Sequence, residues 1–181
     1  MRKELRVAGF GGQGVITIGV LMAKALGQYG NSYVAQTQSY GPEARGGACK
    51  SDVVTSDVEI DYIKPVKLDV MAAMSQPSLN AYAAALSDDG LLIVDSTLVT
   101  DVPARFGKVF KIAATSLAEE KIGMRVVANV IMFGALARLT GWANPEACKK
   151  AIADTVPAKA LDKNYEAFDL GYSQAGGEKQ S

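Results

Sequence analysis

The chain has 181 residues, of which 49% are hydrophobic and 21% are charged. This length suits one domain, and the composition supplies enough apolar side chain for a sizeable core. The 19 basic residues balance the 19 acidic ones, so no net field favours nucleic acid or an acidic membrane surface as a partner. Neutrality is instead compatible with docking to other proteins.

Several kinds of catalysis are excluded by the residue types of this chain. It contains no histidine, so no Ser-His-Asp triad, Cys-His pair or histidine-ligated metal centre can be built within it. Cys49 and Cys148 are isolated and form no CxxC pair, which leaves too few ligands for a zinc or iron–sulfur site. We predict two ordinary thiols, no metal site and no catalytic residue in this chain.

Two apolar segments bear on location. Residues 1–5 lead directly into a short apolar strand, without the longer apolar stretch and cleavage site of a signal peptide. The longest apolar region, residues 126–139, is interrupted by Asn129 and Arg138 and is shorter than the roughly 20 residues of a membrane span. We expect a cytoplasmic protein in which residues 126–139 form a buried helix.

Strands and helices are predicted to alternate from the start of the chain. Residues 5–10 form an apolar run that stops at glycines, and residues 15–29 carry apolar side chains at helical spacing. Gly30-Asn31 ends this helix with a residue that tolerates a left-handed cap. Residues 32–38 then predict a second strand, so the chain opens as a strand–helix–strand unit.

Short apolar runs predict further strands over residues 48–56, 68–74, 91–95 and 109–113. Between two of them, a helix is predicted over residues 77–86, which Asp88-Asp89-Gly90 terminates. After the last strand, the Thr115-Ser116 hydroxyls are expected to cap a helix, with Glu119 placed to reach back to its start.

The last third of the chain is predicted to be helical. After the apolar helix, Asn144-Pro145 begins a helix over residues 146–154, and a last helix ends near Phe168. We predict one domain over residues 1–174 and a flexible tail over residues 175–181. The alternation of strands and helices predicts an α/β fold: a three-layer α/β/α sandwich, Rossmann-like, around a mostly parallel or mixed sheet.

A glycine turn lies between the first strand and the first helix. Residues 9–14, Gly-Phe-Gly-Gly-Gln-Gly, satisfy GxGxxG in the strand–turn–helix context that this fingerprint requires. Small residues let backbone N–H groups approach a phosphate, and the helix N-terminus adds partial positive charge. The candidate residues for coenzyme A or another phosphate are Gly11, Gly12, Gln13 and Gly14.

An NAD site is disfavoured, because the acidic residue expected about 20 positions further on is missing from residues 32–38. Gln36 and Gln38 are poor substitutes for a carboxylate that would bind the ribose hydroxyls. The glycines could instead serve a tight turn, close helix-to-sheet packing or a subunit contact. Phosphate binding and packing both remain open.

Residues 39–47, Ser-Tyr-Gly-Pro-Glu-Ala-Arg-Gly-Gly, form a long irregular loop, which usually has a function. Arg45 could clamp a phosphate or carboxylate, or pair with Glu43 at the surface, where an ion pair contributes little. Tyr40 could stack on an adenine or pack under the loop. We predict ligand contacts by Ser39, Tyr40 and Arg45, and an interface or loop role for Gly41, Pro42, Glu43, Gly46 and Gly47.

Three further polar residues have both a structural and a functional interpretation. Asp95 and Ser96 follow a predicted parallel strand, where ligands collect in α/β sheets, but we favour a turn and helix cap. Asn129 lies within the apolar helix and needs a hydrogen-bond partner if it is buried. We favour a structural contact for it.

The two motifs at residues 9–14 and 39–47 resemble, in order and spacing, the gamma subunit of 2-oxoacid:ferredoxin oxidoreductases. The resemblance extends through residues 75–77, 92–96 and 129–136, and thus covers most of the chain. GxGxxG occurs in many nucleotide-binding proteins, whereas Tyr-Gly-Pro-Glu-x-Arg-Gly-Gly is specific. Enzymes of this family convert a 2-oxoacid and coenzyme A into an acyl-CoA, carbon dioxide and reduced ferredoxin.

The resemblance implies a division of tasks among subunits. Thiamine diphosphate, magnesium and iron–sulfur clusters are expected in the partners: an alpha chain, a thiamine-binding beta chain and, in some members, a ferredoxin-like delta chain. Ferredoxin is the expected electron acceptor of the complex. This chain is expected to lie near the active-site entrance, to contact coenzyme A, and to be inactive alone.

Other hypotheses stay open at this point. The chain could be the small subunit of an indolepyruvate-type oxidoreductase, a stand-alone module that binds a nucleotide or coenzyme A, or a purely structural subunit. The sequence does not specify the 2-oxoacid. A subunit that normally buries a large apolar interface can also form a homodimer in isolation.

Overall fold

A single mixed β-sheet forms the centre of the protein. The computed structural model describes residues 1–40 and 47–177. Within them, the six strands are β1 (Lys3–Phe10), β2 (Tyr33–Tyr40), β3 (Ala48–Ser56), β4 (Leu68–Ala73), β5 (Leu86–Asp95) and β6 (Lys108–Ile112). They lie in the order β2-β3-β1-β4-β5-β6.

The direction of the strands confirms the predicted, mostly parallel sheet. β1, β4, β5 and β6 pair in parallel, whereas β3 is antiparallel to both β1 and β2. β2 therefore runs in the same direction as β1, but β3 lies between them. The first strand–helix–strand unit consequently does not join neighbouring strands.

The described residues form six helices: α1 (Val15–Ala23), α2 (Gln76–Tyr82), α3 (Ala114–Leu117), α4 (Ala128–Thr140), α5 (Pro145–Ala153) and α6 (Leu161–Gln174). A π-helical turn, Lys24–Gln28, continues α1, and Asn31 then adopts the left-handed conformation, with φ 57°. At α5, the Asn144 side chain accepts a hydrogen bond from the Ala147 N–H at 2.8 Å. Both predicted cap positions are thus confirmed.

Helices cover both faces of the sheet, as the predicted α/β/α layers require. On one face, Leu5, Val7 and Ile93 share a core with all helices except α2, and the Phe133 and Phe168 rings meet there at 5.6 Å between centroids. The opposite face carries a smaller core against α2 and the loop that follows β5. The second helical layer is therefore thin.

The predicted helix over residues 77–86 is wrong at its end. α2 stops at Tyr82, a 3-10 turn follows, and β5 already begins at Leu86. Leu86 is buried and pairs with Leu68, whereas the next registered pair is Val70 with Leu91. The Asp88-Asp89-Gly90 segment is thus an irregularity inside a strand, in which the two carboxylates reach solvent, and not a helix terminator.

Two further helix predictions need correction. The final helix continues beyond Phe168 to Gln174, because Gly171 lets α6 approach α4 closely: a Cβ at Gly171 would lie 1.9 Å from the Ile131 carbonyl oxygen. The Thr115 hydroxyl does not cap α3, which begins at Ala114 without a side-chain cap. Among the helices of the described residues, none has the length and apolar character that would span a bilayer.

Candidate anion-binding site at the glycine turn

The glycine turn is held in place by the side chain of Gln13. Its amide oxygen accepts a hydrogen bond from the Phe10 N–H at 2.6 Å, and its Nε2 donates to the Met74 carbonyl at 2.9 Å. The Gln13 N–H also donates to the Phe10 carbonyl at 3.2 Å. Gln13 therefore connects the end of β1 to the residue that follows β4, and this ties the turn to the sheet.

Gly14 joins the starts of two helices. It adopts the left-handed conformation, with φ 75°, and its carbonyl accepts a hydrogen bond from Asn129 Nδ2 at 3.4 Å. A Cβ at Gly14 would lie 2.4 Å from that same nitrogen. The structural role predicted for Asn129 is confirmed, and this contact brings the N-termini of α1 and α4 together.

A cavity of about 340 Å³ opens beside the turn. It is lined by Gly12, Gln13, Met74, Thr115, Arg125, Val126 and Ala128. Added Cβ atoms on Gly11 or Gly12 would meet nothing within 4 Å among the described residues, so the backbone of the turn is accessible. The cavity lies where β1 and β4 end, at the edge of an α/β sheet where ligands usually bind.

The electrostatics of the cavity favour an anion. The first turns of α1 and α4 consist of uncharged residues, and the Gly14 cap has no side chain that could satisfy the free N–H groups. Both helix N-termini therefore contribute partial positive charge. Arg125, just before α4, adds a full positive charge at the end of the helix where its dipole disfavours a cation.

Among the described residues, Arg125 has one carboxylate partner. Its Nη1 lies 2.8 Å from Glu119 Oε1, and the two side chains are 62% and 46% exposed. Such an exposed pair contributes at most about 1 kcal/mol, so a ligand anion can replace Glu119 at little cost. Arg125 was missed in the sequence. The sequence does offer one indication: an arginine directly before the N-terminus of a predicted helix is electrostatically unfavourable, which suggests a function.

Asp95 has the structural role that we favoured. Its carboxylate is buried and accepts hydrogen bonds from the Thr97 N–H and from the N–H and hydroxyl of Thr115, the last at 2.6 Å. It thereby holds the turn after β5 against the start of α3. The next residue, Ser96, extends the pairing of β5 with β6, since its N–H donates to the carbonyl of Ile112 at 2.9 Å.

The predicted residues of the second motif are only partly brought to this site. Gly9, Cys49 and Tyr40 lie in one register row, so the Tyr40 backbone is two strand spacings, about 10 Å, from the turn. Ser39 lies in the next row, and its side chain points to the opposite face of the sheet because neighbouring strand residues alternate. Gly47 precedes β3, whereas Gly41, Pro42, Glu43, Arg45 and Gly46 lie outside the described residues.

Cys49 is the nucleophilic side chain nearest to the turn in that register row. It is buried, and burial raises the pKa of its thiol. A thiol with a raised pKa stays neutral near pH 7 and is a poor nucleophile. The arrangement at the turn can therefore bind and orient an anionic group, while covalent chemistry by Cys49 is disfavoured.

The mixed sheet with helices on both faces and a glycine turn between β1 and α1 defines an α/β domain of the Rossmann-like class. Residues 4–174 match the pyruvate ferredoxin/flavodoxin oxidoreductase family. The chain belongs to this family, and the resemblance predicted from the two motifs is confirmed.

Individual relatives agree with this assignment. The chain is 46% identical over 177 residues to the 2-oxoglutarate synthase subunit KorC of Methanocaldococcus jannaschii, covering 97% of this chain and 95% of KorC. The structure of a keto/oxoacid ferredoxin oxidoreductase gamma subunit from Geobacter sulfurreducens superposes with a TM-score of 0.88 at 38% identity, covering 97% of each chain.

A larger protein contains the same fold. The 2-oxoglutarate:ferredoxin oxidoreductase of Magnetococcus marinus, solved with 2-oxoglutarate, coenzyme A and succinyl-CoA bound, matches with a TM-score of 0.87 at 23% identity. The match covers 99% of this chain but 32% of that one. At this identity the likeness shows the fold alone.

Proposed function

We propose that this chain is the gamma subunit of an oxidoreductase that converts 2-oxoglutarate and coenzyme A into succinyl-CoA and carbon dioxide, with ferredoxin as electron acceptor. Family membership and the likeness to KorC support the proposal. The choice of 2-oxoglutarate rests on the name of that relative. The cytoplasmic location expected from the sequence is part of the same proposal.

The observation that carries a coenzyme A contact is the convergence of Arg125 and two helix N-termini on one cavity. A volume of about 340 Å³ holds a phosphate or diphosphate group but only part of a whole coenzyme A. The remaining parts of the molecule would contact the partner subunits. The predicted contribution of Arg45 stays a prediction.

The mechanism of this chain is binding and orientation. Backbone N–H groups of the turn and the Arg125 guanidinium hold the phosphate, and Gln13 fixes the turn that presents those N–H groups. A fixed phosphate anchor positions the thiol end of coenzyme A for attack in a neighbouring subunit. Thiamine diphosphate, magnesium and the iron–sulfur clusters belong, in this proposal, to the alpha, beta and delta partners, where they supply decarboxylation and electron transfer.

Assembly and turnover are tested by co-expression with candidate alpha, beta and delta chains from neighbouring genes. The purified complex should reduce a ferredoxin or viologen dye when given 2-oxoglutarate and coenzyme A, and the isolated chain should not. Pyruvate in place of 2-oxoglutarate distinguishes the substrate. A complex that turns over pyruvate but not 2-oxoglutarate contradicts the substrate choice; turnover by the isolated chain contradicts the subunit role.

The coenzyme A contact is tested by calorimetric titration of the complex. Arg125→Ala should raise the Kd for coenzyme A about tenfold or more, because a charge-assisted hydrogen bond is lost. Lys163→Ala is the control: Lys163 forms a similarly exposed pair with Glu166 near the start of α6, and the Kd should not change.

Glu119→Gln separates a ligand role of Arg125 from a structural one. If Arg125 binds the ligand, removal of the competing carboxylate should lower the Kd, opposite in direction to Arg125→Ala. If the pair only stabilises the fold, both variants should weaken binding together. That second outcome, or an unchanged Kd in Arg125→Ala, would reject the proposed contact.

A further inference from the structure

The sheet face opposite the main helical layer has an apolar half and a charged half. On β4 and β5, Met71 and Leu92 belong to the core that α2 covers. On the same face of the neighbouring strands, Arg6 of β1 lies in one register row with Asp52 of β3 and Thr37 of β2. Two residues further along these strands, on the same face, Lys50 of β3 lies beside Ser39 of β2.

These side chains line a cavity of about 430 Å³. We call it the basic groove and define it by Arg6, Thr37, Lys50, Asp52 and Lys64. The basic groove opens on the face of the sheet away from α1, and it is lined by residues other than those of the glycine-turn cavity. It is therefore a second and separate concave surface.

The basic groove carries more positive than negative charge. Arg6 binds Asp52 through two hydrogen bonds of 2.7 and 2.9 Å, and both side chains are almost fully buried. Lys50 Nζ is further away, 3.6 Å from the same carboxylate. Because Arg6 already neutralises Asp52, the ammonium groups of Lys50 and Lys64 remain as excess positive charge within residues 1–40 and 47–177.

One wall of the basic groove is a segment that β1 holds in place. Arg2 donates to the carbonyls of Tyr62 and Lys64 at 2.7 and 2.9 Å. The buried Glu4 carboxylate accepts from the Val66 and Lys67 N–H groups at 2.7 and 2.8 Å. The wall is therefore preorganised, and a partner would bind it without first ordering it.

The segment over residues 62–66 gives the basic groove an exposed aromatic and apolar rim: Tyr62 lines the groove, and Ile63 and Val66 belong to the same segment. Tyr62 and Ile63 are 56% and 50% exposed, and Val66 is 76% exposed. Exposed aromatic and apolar residues are typical of protein interfaces, and the lysine charges beside them complement a partner of opposite charge.

We propose that the basic groove and its Tyr62–Ile63 rim form the docking surface for a segment of a partner subunit that presents carboxylate side chains. The charge of the groove selects an acidic partner, and the exposed rim supplies apolar area around the ion pairs. This inference rests on the proposed function only in that the chain assembles with other subunits. It does not depend on the glycine-turn cavity.

The test is a binding measurement between this chain and the complex that lacks it, at low and at high salt. Lys64→Glu should raise the Kd about tenfold or more and reverse or abolish the salt dependence, because attraction becomes repulsion. Lys50→Gln should also raise the Kd. This substitution removes a positive charge without placing a second negative charge beside Asp52. Thermal unfolding of each variant establishes that the chain remains folded.

Lys163→Glu is the matched control, since it reverses a lysine on α6 in the layer on the other face of the sheet. Its Kd should equal that of the wild type. The proposal is overturned if Lys64→Glu binds like wild type, if Lys163→Glu weakens binding equally, or if Lys64→Glu changes only homodimerisation or only the Kd for coenzyme A. If the wild-type chain binds no partner, this proposal and the proposed function are both overturned. If Arg125→Ala leaves the Kd for coenzyme A unchanged, only the coenzyme A contact is rejected.

Discussion

At position 14, the backbone and a neighbouring side chain leave room for hydrogen alone. Gly14→Ala places a Cβ at positive φ and 2.4 Å from Asn129 Nδ2, so the free energy of unfolding should fall by about 2 kcal/mol or more. Gly11→Ala, in open space within the described residues, should change it by less than about 0.5 kcal/mol. Urea denaturation measures both, and equal losses would contradict the crowding at Gly14.

The buried pair Arg6 and Asp52 predicts strong non-additivity. Asp52→Asn removes the charge that compensates a guanidinium of low exposure, which should cost about 3–5 kcal/mol of unfolding free energy. Replacing both partners, as Arg6→Met with Asp52→Leu, should recover much of that loss because no unpaired charge remains buried. A double variant no more stable than Asp52→Asn would argue against this account.

Cys148 predicts a pH dependence of stability. Burial raises the pKa of its thiol from 9.0 to about 12, so the folded chain keeps a proton that the unfolded chain loses between these pH values. The free energy of unfolding should therefore fall as pH rises above about 9, by about 1.4 kcal/mol per pH unit from this group.

The matched measurement is urea denaturation of the wild type and Cys148→Ala at several pH values above neutrality. The variant is expected to be less stable throughout, because a buried side chain is truncated. Its stability should nevertheless decline less steeply with pH than that of the wild type. Parallel declines would mean that Cys148 does not titrate as proposed.

At the scale of elements, the contact between α4 and α6 depends on two glycines. A Cβ at Gly134 would lie 2.2 Å from the Phe168 carbonyl oxygen, and one at Gly171 would lie 1.9 Å from that of Ile131. Gly171→Ala should separate the helices and lower the free energy of unfolding by about 3 kcal/mol. Gly107→Ala, where a Cβ meets nothing within 4 Å among the described residues, serves as the control in thermal unfolding.

The elements that the sequence predicts correctly are those fixed by a local pattern, whereas those fixed by contacts between distant residues are missed. The strand–turn–helix around residues 9–14 is a local pattern and was correctly predicted. The end of α6 was not, since Gly171 resembles a helix breaker until α4 is packed against it. Leu86 likewise reads as a helix residue locally, and only its pairing with Leu68 on β4 makes it the start of a strand.

At the scale of the molecule, the single domain predicted over residues 1–174 implies one cooperative transition. Trp142 is the only tryptophan and lies between α4 and α5, so its fluorescence reports on the helical layer. Far-UV circular dichroism reports on sheet and helices together. The two midpoints in urea should coincide, and a difference between them would indicate two independently unfolding units.

The candidate site was predicted only where it is continuous in sequence. Gly12, Gln13 and Gly14 follow one another, whereas Arg125 and Asn129 reach the turn only because α4 packs beside α1. The position of β3 between β1 and β2 likewise depends on pairing between residues that are distant in sequence. It places Ser39 and Tyr40 at a distance from the turn that no spacing along the chain specifies.

The two hydrogen bonds of the Gln13 side chain have a kinetic consequence. They tie the turn to the end of β4 in the chain without ligand. The backbone that we propose to bind a phosphate therefore needs little rearrangement. Stopped-flow traces of ligand binding at this edge of the sheet should then show one rapid step, close to the diffusion limit, and no slow phase from closure of the site. Slow steps of a catalytic cycle would have to arise in the neighbouring subunits.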